Sequence, residues 1–354
     1  MSWGVLHTRP LGSPAQGRRY AGAMSSSMPT TSLGSTGLEV SRIGLGLAAL
    51  GRPAYIDVGR ALDLGDDRSA EALERRCHEV LDTARALGVR YVDAARSYGS
   101  AEDFLASWLT SREISTDAIT VGSKWGYAYV GDWRIEAEVH ERKDHSLEAF
   151  RRQLAESRAL LGPWLDLYQI HSATLETGVL EDRALHAELI ELTNDGVVVG
   201  LSVSGPRQAD TIRRALEVEL EGVNPFRCVQ ATWNVYERAA EAALEDAHAA
   251  GWGVIVKEAL ANGRLSERGD DPRLATLRRL AEERGVGMDA VALDVALAKP
   301  WVDVVLSGAV TAAQLTSNLD ALKVGLSDDE LESLGPLREP PERYWAERAE
   351  LPWS

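Results

Sequence analysis

Two kinds of segment alternate along most of this chain. Short apolar runs, rich in β-branched residues, occur at Arg42–Leu47, Val89–Val92, Ala118–Gly122, Leu165–Ile170, Val197–Val203, Arg227–Ala231, Trp252–Val256 and Val302–Leu306. Between them lie stretches whose charges keep to one helical face: Ala70–Leu87, Ala101–Thr110, Ser146–Leu161, Glu181–Asn194, Pro206–Leu220, Arg238–Ala250 and Leu274–Lys299, the last broken at Gly285–Gly287. Ala312–Leu322 and Asp328–Leu334 close the series. Length and β-branching mark the first kind as buried strands, and the period of the second marks helices. Eight strand-then-helix units with near-continuous apolar strands predict an α/β fold, a closed parallel (β/α)8 TIM barrel ringed by helices. An open doubly wound sheet is the competing architecture. It carries a glycine fingerprint after its first strand, and Gly44-Leu-Gly46 here lacks the G-x-G-x-x-G spacing.

The flanks read differently. Alternation over Thr31–Val40 around Gly34-Ser-Thr-Gly37 predicts a short N-terminal hairpin. Residues 1–30 are rich in Gly, Ser and Pro, lack the apolar run of a secretory signal, and are expected to form a disordered extension with Met24 and Met28 as alternative starts. The barrel is expected over 31–337 and a C-terminal tail over 338–354. Two connections are long, Ala48–Ser69 and Trp125–His145. Both follow strands, which puts them at the barrel's C-terminal face, where such barrels keep their active sites. Tyr55, Tyr127, Tyr129, Trp133, Tyr344, Trp345 and Trp353 crowd these loops and the tail, and exposed loops seldom gather aromatic rings unless they close on something.

Composition then narrows the function. No stretch approaches the roughly 20 apolar residues that cross a bilayer. A net charge of −16 over 354 residues argues against a nucleic-acid partner, which needs lysine and arginine against phosphate. Two cysteines, Cys77 and Cys228, build neither a disulfide scaffold nor a metal site, so a cytoplasmic protein without metal is expected.

The chemistry sits where apolar runs stop. The second ends in Tyr91-Val92-Asp93 with Tyr98 just beyond, the third reaches Lys124 and the fourth His171. Neighbouring strands lie about 4.8 Å apart, so three consecutive strand ends converge within roughly 10 Å. Each residue alone has an ordinary structural use: Asp93 as a helix cap, Lys124 snorkelling, His171 as a satisfied core histidine, Tyr98 as packing. Together they suit carbonyl reduction. A phenol titrating near about 10 needs a cation to become a useful acid. Lys124 would supply it, Asp93 would hold the lysine, and His171 would orient the substrate oxygen. A lysine here stands out in a chain with five lysines and 33 arginines.

With these residues in order, the sequence from about Thr31 to Leu334 resembles the aldo-keto reductase family. Asp93, Tyr98, Lys124 and His171 match its catalytic tetrad in identity, order and strand position. Ser157-Arg-Ala-Leu-Leu-Gly162 … Asp166-Leu-Tyr-Gln-Ile-His171, Gly196 … Gly200-Leu-Ser202, Gln230 … Asn234 and Gly308-Ala309 … Gln314 … Asn318 are similar to its other landmarks. The resemblance implies Ser202 and Gln230 on the nicotinamide carboxamide. It further implies Gly308, Gln314 and Asn318 along the adenosine end, with the helix starting near Thr311 facing phosphate. The chain departs at three positions: Val203 where the family has Asn, Lys257-Glu258 where many members place an aromatic, and Val310 where a basic residue often binds the 2′-phosphate. NADP(H) is the cofactor the family favours, with NAD(H) the alternative because Gly308–Gln314 carries no Arg or Lys. A small carbonyl or alcohol compound is the expected substrate, met by Tyr55, Trp125, Trp133 and Trp233. A Schiff-base lyase using Lys124 and a cofactor-binding subunit without turnover are the rival readings.

Overall fold

The computed structural model describes Met1 and residues 28–354; the extension expected to be disordered falls, apart from Met1 and its last residues, outside them. In chain order the strands are β1 (Thr30–Ser32), β2 (Glu39–Ser41), β3 (Ile43–Gly46), β4 (Tyr91–Asp93), β5 (Thr120–Trp125), β6 (Tyr127–Tyr129), β7 (Glu141–Lys143), β8 (Leu165–Ala173), β9 (Val198–Val203), β10 (Cys228–Thr232), β11 (Gly253–Lys257) and β12 (Val304–Ser307). The first helices are α1 (Arg60–Leu64), α2 (Ala70–Ala86), α3 (Ala101–Ser111), α4 (Leu147–Leu161), α5 (Arg183–Asn194) and α6 (Gln208–Leu216). They are followed by α7 (Glu241–Ala249), α8 (Ala275–Arg284), α9 (Met288–Leu297), α10 (Ala312–Leu319), α11 (Asp328–Ser333) and α12 (Pro341–Glu350). Among the described residues no helix is long and apolar enough to cross a membrane.

β3, β4, β5, β8, β9, β10, β11 and β12 close in that order into a parallel barrel, so all eight apolar runs are its staves. The barrel interior and the layer between strands and helices are separate cores. Leu33, Val40, Tyr91, Leu167, Cys228, Ile255, Val304 and Leu306 fill the inside. Leu33 and Val40 come from the β1–β2 hairpin, which pairs antiparallel, Thr31 opposite Val40, and seals the N-terminal end. Tyr91 is the largest of these interior side chains, and it fits because β5 carries Gly122 beside it. A Cβ there would stand 2.4 Å from the Tyr91 hydroxyl. That hydroxyl donates to Asp93 Oδ2 at 3.0 Å, so the interior packing reaches directly to the mouth.

Strands run further than their apolar stretches. β5 continues past Gly122 to Trp125 and β8 past Ile170 to Ala173. The added residues include Lys124 and His171, polar groups that a strand can bury only when they find partners. Both long connections lie over the C-terminal mouth. The second folds back as the β6–β7 hairpin. The tail forms α12 and then returns to the first connection, where Trp353 bridges Ile56 and Tyr55 and Ser354 exchange backbone hydrogen bonds.

Candidate active site

The loop leaving β4 is stitched to β5 by Ala94 N–H donating to Gly122 O (2.8 Å) and Arg96 N–H to Lys124 O (3.0 Å). Gly51, from the first long connection, lets the Tyr98 backbone approach, since a Cβ there would lie 2.2 Å from its carbonyl oxygen. Tyr98 is thereby aimed over the end of β5. Lys124 Nζ donates to Asp93 Oδ1, to Ala94 O (2.9 Å) and toward Tyr98 Oη (3.4 Å). Asp93 Oδ2 accepts from Tyr91 and from Gln230 Nε2 (2.9 Å). The Tyr98 and His171 rings meet edge-on at 5.4 Å, and His171 Nδ1 lies 3.2 Å from Ser97 Oγ. The four tetrad residues are thus brought together, and each is buried.

Burial governs their protonation. It lifts the Tyr98 phenol well above its usual range, with the Asp93 charge adding to the effect. It lowers the Lys124 ammonium against the opposing pull of Asp93. His171 falls well below the ordinary imidazole value through burial and then the charges of Lys124, Lys257 and Arg52. A neutral imidazole and a protonated phenol therefore face the mouth at neutral pH.

These side chains border a cavity of about 740 Å³. Asp93, His171 and Gln230, from β4, β8 and β10, line it with Tyr98, and Gly308, Gln314 and Asn318, from the stretch after β12 and from α10, line it too. Tyr55 is on the wall, with the Arg52 guanidinium 5.1 Å over its ring and Trp353 6.5 Å away. The Asn318 amide lies 2.8 Å from Ser307 Oγ, and its other end meets Asp289 Oδ2 at 2.6 Å.

Five expected contacts lie off the wall. Strand alternation explains Trp125: Lys124 faces into the barrel, so Trp125 turns outward onto Phe150 (5.0 Å) beneath α4. Trp233 is fully buried against Trp301 (5.6 Å). Trp133 packs on Phe104 and donates to Arg68 O at 2.9 Å. Thr311 caps α10, accepting from Gln314 N–H at 3.1 Å, the usual use of a hydroxyl before a first turn. Ser202 accepts from Ser172 N–H at 2.8 Å. A register shift in β8 and a left-handed Ser172 (φ 49°) take that N–H out of the ladder, and Ser204 lines the cavity instead.

The structure also adds residues that the sequence did not single out. Arg52 is buried, bonded to Ser97 O and Glu141 and stacked over Tyr98 at 5.4 Å. Asp63 and Arg268 pair on the wall beside Gln314. Lys257 and Glu258, noted only as a departure, form a charged cluster: Lys257 Nζ donates to Thr232 Oγ1 (2.8 Å), while Arg348 of α12 clasps Glu258 with two hydrogen bonds. The pairing of arginine with carboxylate is a composition-level signal; which arginine meets which acid is not.

Comparison with known proteins agrees with this geometry. A sequence model described as the Aldo/keto reductase family matches residues 42–338. An uncharacterized oxidoreductase of Bacillus subtilis, YqkF, is 24% identical over 324 residues, spanning 85% of this chain and 94% of that protein. Probable aldo-keto reductase 1 of Glycine max is 26% identical over 331 residues, 85% of this chain and 86% of its own length. Among solved structures, the holo form of an aldo-keto reductase from Bacillus halodurans superposes with a TM-score of 0.66 at 22% identity, covering 88% of this chain and 97% of that one. At that identity the likeness concerns the fold.

Proposed function

Since the chain belongs to the aldo-keto reductase family, whose members are nicotinamide-dependent oxidoreductases of small carbonyl compounds, we propose that it reduces an aldehyde or ketone to the alcohol, or runs the reverse, with Tyr98 as general acid and base. The observation that carries this is the hydrogen-bonded line Asp93–Lys124–Tyr98 ending on the cavity wall beside His171. The cavity suits a dinucleotide. Beside Gly308 the space is open, with nothing within 4 Å of where a Cβ would stand, and the amides of Gln230, Gln314 and Asn318 line the walls together with the first turn of α10. Such a cofactor supplies or accepts the hydride.

The chain's own residues handle the proton. The buried phenol of Tyr98 keeps its proton until an oxygen gathering negative charge can take it. Lys124, 3.4 Å away, stabilises the phenolate left behind, and Asp93 fixes the ammonium in place. The Ser97 hydroxyl can donate to His171 Nδ1, which puts the ring proton on Nε2 as a donor to the substrate oxygen. A Schiff-base role for Lys124 fares worse, because all three Nζ donors already have acceptors at Asp93, Ala94 and Tyr98. Tyr55, Tyr127, Trp345 and Trp353 on the wall support an aromatic or sugar-like substrate stacked on a ring face.

Tyr98→Phe should fold and bind cofactor as before while losing about 10²–10⁴-fold in carbonyl reduction followed at 340 nm. Full activity in that variant would remove Tyr98 from the mechanism. Absence of turnover in the unmodified protein over a broad carbonyl panel would favour a non-catalytic subunit.

A further inference from the structure

We infer that Asp63, at the end of the cavity remote from the tetrad, makes this protein select NAD(H) over NADP(H). The inference rests on the dinucleotide reading above. Hydride chemistry has to occur beside Tyr98, so the adenosine half of an elongated dinucleotide occupies the opposite end. That end is built from three connections: Asp57–Asp63 after β3, Asn262–Arg268 after β11, and Gly308–Gln314 leading into α10.

Asp63 is the centre of this end. Its Oδ2 accepts from Gln314 Nε2 (2.7 Å) and Arg268 Nη1 (2.7 Å), and its Oδ1 accepts from Arg268 Nη2 (2.5 Å). Three of the roughly four lone-pair positions of the carboxylate are in use, leaving one for a ribose hydroxyl. A 2′-hydroxyl donates readily to it. A 2′-phosphate has nothing to donate and brings up to two negative charges.

Two neighbouring cations are already committed. Arg268 is committed to Asp63 through both terminal nitrogens, so turning to a phosphate would leave Asp63 unpaired beside it. Arg60 is buried and its donors go to the carbonyls of Ala49, Arg52, Pro53 and Ser354. Glu267 and Asp289 line the same end with Asp63, and Asp57, which burial pushes up to about 7, adds part of a charge, so acids outweigh Arg60 and Arg268 there. Val310, where the family often has a basic residue, adds no positive charge. The family's habit of using NADP(H) therefore gives way here to local electrostatics.

The test is equilibrium binding without substrate, by calorimetry, of NADH, NADPH, ADP-ribose and its 2′-phosphate. The unmodified protein should bind NADH roughly 30-fold or more tighter than NADPH, with the same order for the two fragments. Asp63→Ser and the near-isosteric Asp63→Asn remove the negative charge that holds Arg268. In both, NADPH should gain at least about tenfold while NADH weakens, with melting temperatures confirming that each is folded. Arg268→Met alone should leave NADPH weak. Equal or tighter NADPH binding by the unmodified protein, or an unchanged ratio in both Asp63 variants, overturns the inference and leaves the reductase reading standing. Failure to bind either dinucleotide overturns both.

Discussion

Lys257 stands on the cavity wall with its ammonium 3.9 Å from Glu258, and burial lowers it to about 8. In the unfolded chain the same amine holds its proton to about 10.5. Between those values the unfolded state binds a proton that the folded state lacks, so this group's contribution to stability rises with pH across that window. Below pH 8 both states are protonated and the folded protein bears the whole cost of burying the charge. Lys257→Met should therefore stabilise the protein near neutral pH by on the order of 1–3 kcal/mol, and the advantage should shrink as the pH climbs toward 10. Melting temperatures of both proteins across that range decide it, and no difference at neutral pH would mean that Glu258 and Thr232 compensate the burial completely.

The helix α12 shows how an element beyond the barrel becomes part of the mouth. Arg348 reaches from it to Glu258, whose carboxylate is held near 2 despite burial, chiefly by Arg348 and then by Lys257. Arg348→Met leaves that acid buried with a distant amine and one hydroxyl. The expected loss is about 3–5 kcal/mol, and Glu258→Gln in the same chain should recover most of it, as a double-mutant cycle in denaturant would measure. If the two single losses simply add, the pair does not anchor the helix. The elements were legible in the sequence wherever burial was apolar, and the eight staves follow from eight near-continuous apolar runs. They were less legible where polar residues continue a strand, as at Lys124 and His171, because the partner that permits their burial lies elsewhere in the chain. Trp125 misled for a related reason. Its aromatic character suggested a ligand contact, while the two-residue period set by Lys124 already turned it outward. That Asp93, Tyr98, Lys124 and His171 gather at one mouth was legible because three of them fall near strand ends and Tyr98 lies just beyond one. The pairing of Asp63 with Arg268, 205 positions apart, was not, since no local pattern encodes which loops meet over a barrel.

At the scale of the whole molecule, two cores and one seal set what can reach the chemistry. The hairpin closes the N-terminal end with Leu33 and Val40, the mouth is overlaid by the β6–β7 hairpin and α12, and Lys124 is left with no exposed surface. Lys257, at the end of a barrel strand across the mouth, borders the cavity. The two amines therefore keep different time. A small acylating reagent should mark Lys257 at the pace at which it diffuses into the cleft. It should mark Lys124 only in those rare intervals when the barrel itself comes apart, at a rate tied to the protein's global opening equilibrium. Peptide mass spectrometry over a time course would read both, and equal rates would mean that the barrel is not closed around Lys124. The sealed lysine would then serve as a built-in clock, counting how often the staves separate.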